Sequence, residues 1–245
     1  MREVQAVIWD FDGTLVDTRQ KNFNVTRALV ERIKGEPPEA FEALRSLQRY
    51  EHALHRHRHW KDFHRQELEM TEDQIRLAET SWLDQQLADE TAATSYDGIR
   101  EVLEGLSHLP HGIVSLNATQ NIVRFLERLQ LQAHFKEVMG HEAVDAGRQK
   151  PLPDALVACI DRLTGSRPGR IVYVGDHESD IECVHNTNVH YANQKIPVEV
   201  IGISAVYGPL SDDSHWSAEP HFRAEHPQQI LTFVTDLLAA SDRPR

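Results

Sequence analysis

The chain is short of cysteine, of long apolar runs and of positive charge, and each shortage closes off a class of protein. Only Cys159 and Cys183 are present, too few for a disulfide framework. No apolar run approaches the roughly 20 residues that span a bilayer, so membrane insertion is not expected. Against 38 acids stand 26 lysines and arginines, a formal net charge of -12. That balance argues against nucleic acid or an anionic membrane as a partner, and an anionic substrate would need a local cation. Internal repeats and low-complexity segments are missing too. The opening Met1-Arg2-Glu3-Val4 leads into a strand pattern and not into a signal peptide, so a reducing cytoplasm is the expected location, with a monomer or homodimer as the expected state. The 245 residues exceed the commonest domain size of about 100–150, which predicts a main core with a smaller satellite.

What the chain does have begins at Val7-Ile8-Trp9, which runs straight into Asp10-Phe11-Asp12-Gly13-Thr14. Alternate side chains of a strand share a face, so Asp10 and Asp12 can point the same way while Gly13 permits a sharp turn. Two such acids suit a nucleophile and a proton carrier. Further β-type runs at Gly112–Ser115, Glu137–Gly140, Ile171–Gly175 and Val198–Ile203 alternate with helical spacing. Examples are Ile122, Val123, Phe125, Leu126 and Leu129, then Leu156, Val157, Ile160 and Leu163. With Val4–Asp10 as the first strand, the pattern predicts an α/β fold, a doubly wound parallel sheet with its site at the carboxyl ends of the strands. Residues 16–95 break the rhythm with helical periodicity and dense charge, and are expected to form an inserted helical domain. The core would then be 1–15 and 96–245. Pro37-Pro38 reads as a turn between two helices of the insertion. Asn188–Pro197 reads as a long polar connection before the last strand. A final amphipathic helix around Ile230, Phe233, Val234 and Leu237 is expected to cover the core.

Three more polar motifs fall where strands end. Ser115-Leu116-Asn117 follows the second strand, Lys150-Pro151-Leu152-Pro153-Asp154 opens a helix, and Val174-Gly175-Asp176-His177-Glu178-Ser179-Asp180 ends an apolar run. Asp10, Asp12, Asp176 and Asp180, if the sheet brings them together, would repel one another, and a divalent cation would resolve that conflict. An all-oxygen site suits Mg²⁺. Taken with D-x-D-G-T, these motifs resemble the haloacid dehalogenase (HAD) superfamily in its phosphatase branch, over nearly the whole chain. The general likeness is to phosphoglycolate-phosphatase-like hydrolases. The resemblance implies a Rossmann-like core with an α-helical cap inserted after the first motif to select substrates. It further implies Mg²⁺-dependent hydrolysis of a small phosphorylated metabolite through an aspartyl-phosphate. On that pattern Asp10 is the nucleophile, and Asp12 protonates the leaving oxygen and then activates water. Ser115 binds the transferred phosphoryl group, and Lys150 clamps it electrostatically. The implied Mg²⁺ ligands are the Asp10 carboxylate, the Asp12 main-chain carbonyl and the Asp176 carboxylate, with Asp180 binding directly or through a ligand.

The chain departs from that pattern in places. The family's Asn directly follows the Ser or Thr, whereas Leu116 intervenes here, so Asn117 is either a substrate contact or a cap for a helix starting near Ala118. His177 and Glu178 stand where small polar residues are commoner. Haloacid dehalogenases lack the second acid and need no Mg²⁺, so Asp12 and Asp176 weigh against dehalogenation, and phosphonoacetaldehyde hydrolases usually replace that acid too. Phosphomutases of the β-phosphoglucomutase type carry a cap histidine where this chain has Asn22. A non-catalytic protein that binds Mg²⁺ and phosphate is the other alternative, against which Asp10, Asp12, Lys150 and Asp176 are all intact. In the insertion, His52, His55, His57, His59 and His64 invite a metal reading, since His55 and His59 can share a helix face. No cysteine or close acidic pair completes the set, and a solvated or cleft-facing helix surface is the plainer reading. Trp60, Phe63 and Trp82 are expected to pack as core.

Overall fold

The computed structural model describes residues 3–57, 60–209 and 211–241. The first strand, β1 (Val4–Trp9), is almost wholly buried along its length, as a strand covered on both faces must be. Two short strands, β2 (Val16–Asp17) and β3 (Thr94–Ser95), pair with each other in a separate two-stranded sheet. Between them lie α1 (Arg19–Lys34), α2 (Leu47–His55), α3 (Trp60–Gln66) and α4 (Glu72–Ala88), with Pro38–Ala40 a 3-10 turn after α1. Their boundaries follow local chemistry. Gly35, at φ 69°, ends α1 in the left-handed conformation that glycine adopts without strain. Thr71 and Gln74 start α4 with a reciprocal capping box.

The chain then alternates helix and strand: α5 (Ile99–Gly105), β4 (His111–Val114), α6 (Thr119–Arg128), β5 (Phe135–Met139), α7 (Asp154–Thr164), β6 (Gly169–Gly175), α8 (Glu178–Gln194), β7 (Val198–Ala205), β8 (Phe222–Ala224) and α9 (Pro227–Ser241). The six-stranded sheet has the order β5-β4-β1-β6-β7-β8, and every neighbouring pair is parallel. This is the expected doubly wound α/β architecture. From β1 the chain builds outward through β4 and β5, then crosses back to build through β6, β7 and β8. The crevice of such a sheet opens at the carboxyl ends of the strands flanking the reversal. Register brings those ends level, because Trp9 pairs with Ile113 on one side and with Val174 on the other.

By its internal packing the chain divides into two compact units, Met1–Asp17 with Ser95–Arg245, and Thr18–Thr94. In the first, Ile8, Val114, Leu156, Ile160, Tyr173, Val184 and Tyr191 belong to one buried cluster. In the second, Phe23, Val30, Leu44, Tyr50, Phe63, Leu68 and Ile75 form their own core, with Tyr50 edge-on to Phe63 at 5.4 Å. Burying these side chains, at roughly 1.5–3 kcal/mol each, supplies the main drive to fold each unit. No helix of the described residues is long and apolar enough to cross a membrane.

One expectation is corrected. Asn188–Pro197 is not a long loop, because α8 continues to Gln194 and leaves only three residues before β7. The polar letters that read as a loop are structural. Asn188 exchanges two 2.8 Å bonds with the backbone of Val200, and Tyr191 is buried one turn further on. The tail behaves as expected, with α9 packed on α5, β1 and β8, although the short strand β8 carried no clear sequence signal.

Candidate active site

Asp10 is the first residue past β1, and its amide donates to Val174 O at 2.8 Å, a ladder contact that seats it beside β6. Phe11 turns into the core against Phe125, leaving the acids on either side of it aimed elsewhere. Gly13 has φ +76°, and a Cβ there would sit 1.9 Å from Asp176 Oδ2. Only glycine meets both the backbone angle and that close approach. Thr14 Oγ1 lies 3.5 Å from Asp176 Oδ1, and its carbonyl accepts a 2.5 Å bond from the Tyr207 hydroxyl. The loop after β1 is thus tied to the ends of β6 and β7.

Lys150 comes from the segment between β5 and α7. Gln149 Nε2 donates to His141 O, while Asn186 Nδ2 and Cys183 Sγ of α8 hold the carbonyls of Pro151 and Leu152. Held from both sides, the Lys150 side chain is buried and spends its protons on three partners. These are Asp10 Oδ1 at 2.6 Å, Asp180 Oδ1 at 2.6 Å and the Tyr173 hydroxyl at 3.1 Å. Tyr173 in turn shares its one proton between Val114 O and Asp180 Oδ1, both at 3.1 Å. Asp180 Oδ2 accepts from His177 N and closes the capping box that starts α8, with His177 Nδ1 accepting from Ser179 N. His177 therefore caps the helix, and Glu178 accepts from the amides of Ser217 and Ala218.

Ser115 directly follows β4, its amide bonded to Met139 O and its Oγ accepting from Asn117 N at 3.2 Å. Asn117 lies against the second acid of the first motif, with Nδ2 donating to Asp12 Oδ2 at 2.9 Å. The helix-cap alternative is met only in part. Asn117 Oδ1 takes the Ala118 amide, but α6 begins at Thr119 with no side-chain cap bond from Ala118.

The electrostatics follow from crowding acids around one ammonium. Asp10, Asp176 and Asp180 each offer an oxygen, all within 4.8 Å of one another. Burial, against the pull of Lys150 and reinforced by Asp180 and Asp12, pushes Asp10 up to about 7. Burial, then the charges of Asp10 and Asp180, holds Asp176 well above the usual carboxylate range. Burial works to lower the Lys150 ammonium, but Asp10 and Asp180 outweigh it and keep it charged. The cluster gathers three carboxyl groups around one ammonium, and its oxygen donors match a hard divalent cation such as Mg²⁺.

The structure therefore gathers Asp10, Asp12, Ser115, Asn117, Lys150, Asp176 and Asp180 at the carboxyl ends of β1, β4 and β6. Tyr173 was not anticipated. It is the one side chain with a polar atom in the run Ile171-Val172-Tyr173-Val174, and a buried tyrosine hydroxyl needs a partner, so a signal was present. Asn121 and Tyr207 were not anticipated either. In the helical unit, His64 is buried and held near 4 by burial against its bond to Trp60 O, and His57 pairs with Glu67 at 3.0 Å. His59 lies outside the described residues. Among the described residues no histidine joins a group able to hold a metal, and Phe63 is core as expected. Asn22 bonds Thr18 and Gln86.

Known proteins resemble this chain in sequence and in fold. The family model for haloacid dehalogenase-like hydrolases matches residues 7–193. A phosphoglycolate phosphatase from Synechococcus elongatus is 27% identical over 238 residues, covering 96% of this chain and 99% of that protein. Another from Chromobacterium violaceum is 29% identical over 185 residues, covering 74% and 80%. In fold, a HAD-superfamily hydrolase of subfamily IA from Geobacter sulfurreducens superposes with a TM-score of 0.59 at 20% identity, covering 94% of this chain and 99% of that one.

Proposed function

Because the chain belongs to the haloacid dehalogenase-like hydrolases and is a phosphatase among them, we propose that it hydrolyses a small phosphorylated metabolite in a Mg²⁺-dependent reaction, through an aspartyl-phosphate on Asp10. The observation that carries this reading is the Lys150 ammonium held 2.6 Å from Asp10 in a buried acid cluster, with Asp12 two residues along on the same loop.

The residues for Mg²⁺ are the Asp10 carboxylate, the Asp12 main-chain carbonyl and the Asp176 carboxylate, with Asp180 binding directly or supporting from behind. When bound, the cation neutralises charge on the substrate and the acids so that phosphate and carboxylate can approach. In the first step an Asp10 oxygen forms a bond to phosphorus. The bond from phosphorus to the leaving oxygen breaks with its electron pair on that oxygen, which takes a proton from Asp12. In the second step Asp12 takes a proton from water as the water oxygen attacks phosphorus, releasing inorganic phosphate and restoring Asp10. Lys150 and Ser115 hold the phosphoryl oxygens, and positioning with charge neutralisation supplies most of the rate. Residues 16–95 serve as the cap that discriminates among substrates. The names of the curated relatives make 2-phosphoglycolate the first candidate, and a cytoplasmic setting suits such a metabolite.

The test is phosphate release from 2-phosphoglycolate, sugar phosphates, nucleotides and p-nitrophenyl phosphate, with Mg²⁺ and with EDTA. Release that needs Mg²⁺ and disappears in Asp10→Asn is the expected result. Near-normal release in that variant would sink the assignment of Asp10.

A further inference from the structure

Asn117 is displaced by one residue from the spacing of the resembling motif, and its amide has a defined direction. The residue is 6% exposed, and Asn121, one turn into α6, is 1% exposed. Oδ1 of Asn117 accepts from the Ala118 amide at 2.8 Å and from Asn121 Nδ2 at 3.0 Å. Both lone pairs of that oxygen therefore face donors, and Nδ2 must point the other way, to Asp12 Oδ2 at 2.9 Å. Turning the amide over would set a carbonyl oxygen against a carboxylate and NH₂ against two N–H groups. Asn121 lies on the buried face of α6 beside Ile122 and Phe125, where an asparagine is costly unless its amide is bonded.

We propose that Asn117, braced by Asn121, is a positioning residue that aims the Asp12 carboxyl at the leaving-group oxygen, and so acts on the reaction through Asp12. This rests on the phosphatase reading above. An N–H donated to Oδ2 favours the transferable proton on Oδ1, whose direction is set once the Asn117 amide fixes the carboxyl plane. When the bond to phosphorus breaks, an alkoxide leaving group needs that proton, whereas p-nitrophenolate departs without it. Loss of aim should therefore be selective for substrates with poor leaving groups, and a general loss of structure should not be.

The experiment compares wild type, Asn117→Ala and Asn121→Ala on p-nitrophenyl phosphate and on whichever alkyl phosphate the wild type hydrolyses fastest, with thermal melting of all three. In Asn117→Ala, kcat on the alkyl phosphate should fall about tenfold or more beyond any fall on p-nitrophenyl phosphate, with KM nearly unchanged on both. Asn121→Ala should show the same selectivity to a smaller degree, and it decides the question if Asn117→Ala does not fold. Equal losses on the two substrates, no loss, or a change confined to KM would overturn the proposal. A wild type that releases phosphate from neither substrate refutes the phosphatase reading itself, an outcome separate from an unselective loss in active enzyme.

Discussion

Replacing Asp10 with asparagine is expected to abolish turnover and yet stabilise the metal-free protein at neutral pH. The Asp10 carboxyl is raised from 3.8 to about 7 by burial, with Lys150 opposing and Asp180 and Asp12 adding to the rise. Between those values the folded protein keeps a proton that the unfolded chain has released. A raised acid therefore costs stability as pH climbs through the window, and the loss is complete above about 7. Each pH unit of the rise is worth about 1.4 kcal/mol, so the whole is at most about 4 kcal/mol, and relaxation of the site reduces it toward about 2 kcal/mol. The carboxamide of D10N is uncharged throughout and keeps the shape of the protonated acid. The gap between variant and wild type should then widen from pH 4 to pH 8 by up to about 4 kcal/mol, or roughly 10 °C in Tm for a chain of this size. Melting both proteins in EDTA across that range measures it, and taking the difference cancels groups common to both. Added Mg²⁺ should close the gap by stabilising the wild type, which retains the carboxylate. A gap that stays constant or narrows as pH rises in EDTA would refute the account of the site's charge.

Tyr173→Phe keeps the ring in the core but leaves the Val114 carbonyl and the Lys150 ammonium each one partner short. Urea denaturation should show a loss of about 1–3 kcal/mol, and kcat should fall about tenfold as the lysine loses its anchor; full activity would mean that the hydroxyl serves packing only. Gly13→Ala would thrust a methyl group to 1.9 Å from Asp176 Oδ2 at a backbone angle hostile to alanine. Phosphate release should drop at least about 100-fold and stability by about 1–2 kcal/mol, and an active variant would contradict the geometry of this loop. His64 and His111 are each held near 4 by burial. A depressed histidine contributes stability that is full above about 6.5 and is lost as pH falls toward 4, at most about 3 kcal/mol each, so His64→Phe should be less acid-sensitive than wild type between pH 7.5 and 4.5 in urea titrations.

Most of the sheet was legible because a parallel sheet buried on both faces must be written in predominantly apolar runs, and Val4–Trp9, Gly169–Gly175 and Val198–Ala205 are written that way apart from one or two polar residues each. The same physics explains the misreading of Asn188–Pro197. Helix α8 carries asparagines, histidine and glutamine on its outer turns, and the residues that keep it helical, Asn188 bonded to Val200 and buried Tyr191, do so through contacts with another part of the chain. Strand β8 is three residues long, shorter than any periodicity can announce.

The candidate site divides along the same line. Asp10, Asp12, Lys150 and Asp176 were legible because each stands beside a local signal: a strand end, a glycine, a proline-started helix. What no local pattern shows is the wiring between them. Tyr173 reads as one more apolar residue of β6 until its hydroxyl is found between Val114, Lys150 and Asp180, which come from three separate segments. Asn121 reads as a helix surface residue until its amide is found on Asn117. Both carry a polar atom into a place where an unpaired one costs about 1–3 kcal/mol, so each is tolerated only because a partner waits there. The acids of this site tolerate one another on the same terms. Lys150 is shared between Asp10 and Asp180, Asn117 faces Asp12, and Asp176 is held well above the usual carboxylate range by burial and then by the charges of Asp10 and Asp180. A site assembled this way gives its carboxylates different surroundings, and different surroundings are what would let chemically identical groups take the separate roles proposed for them above.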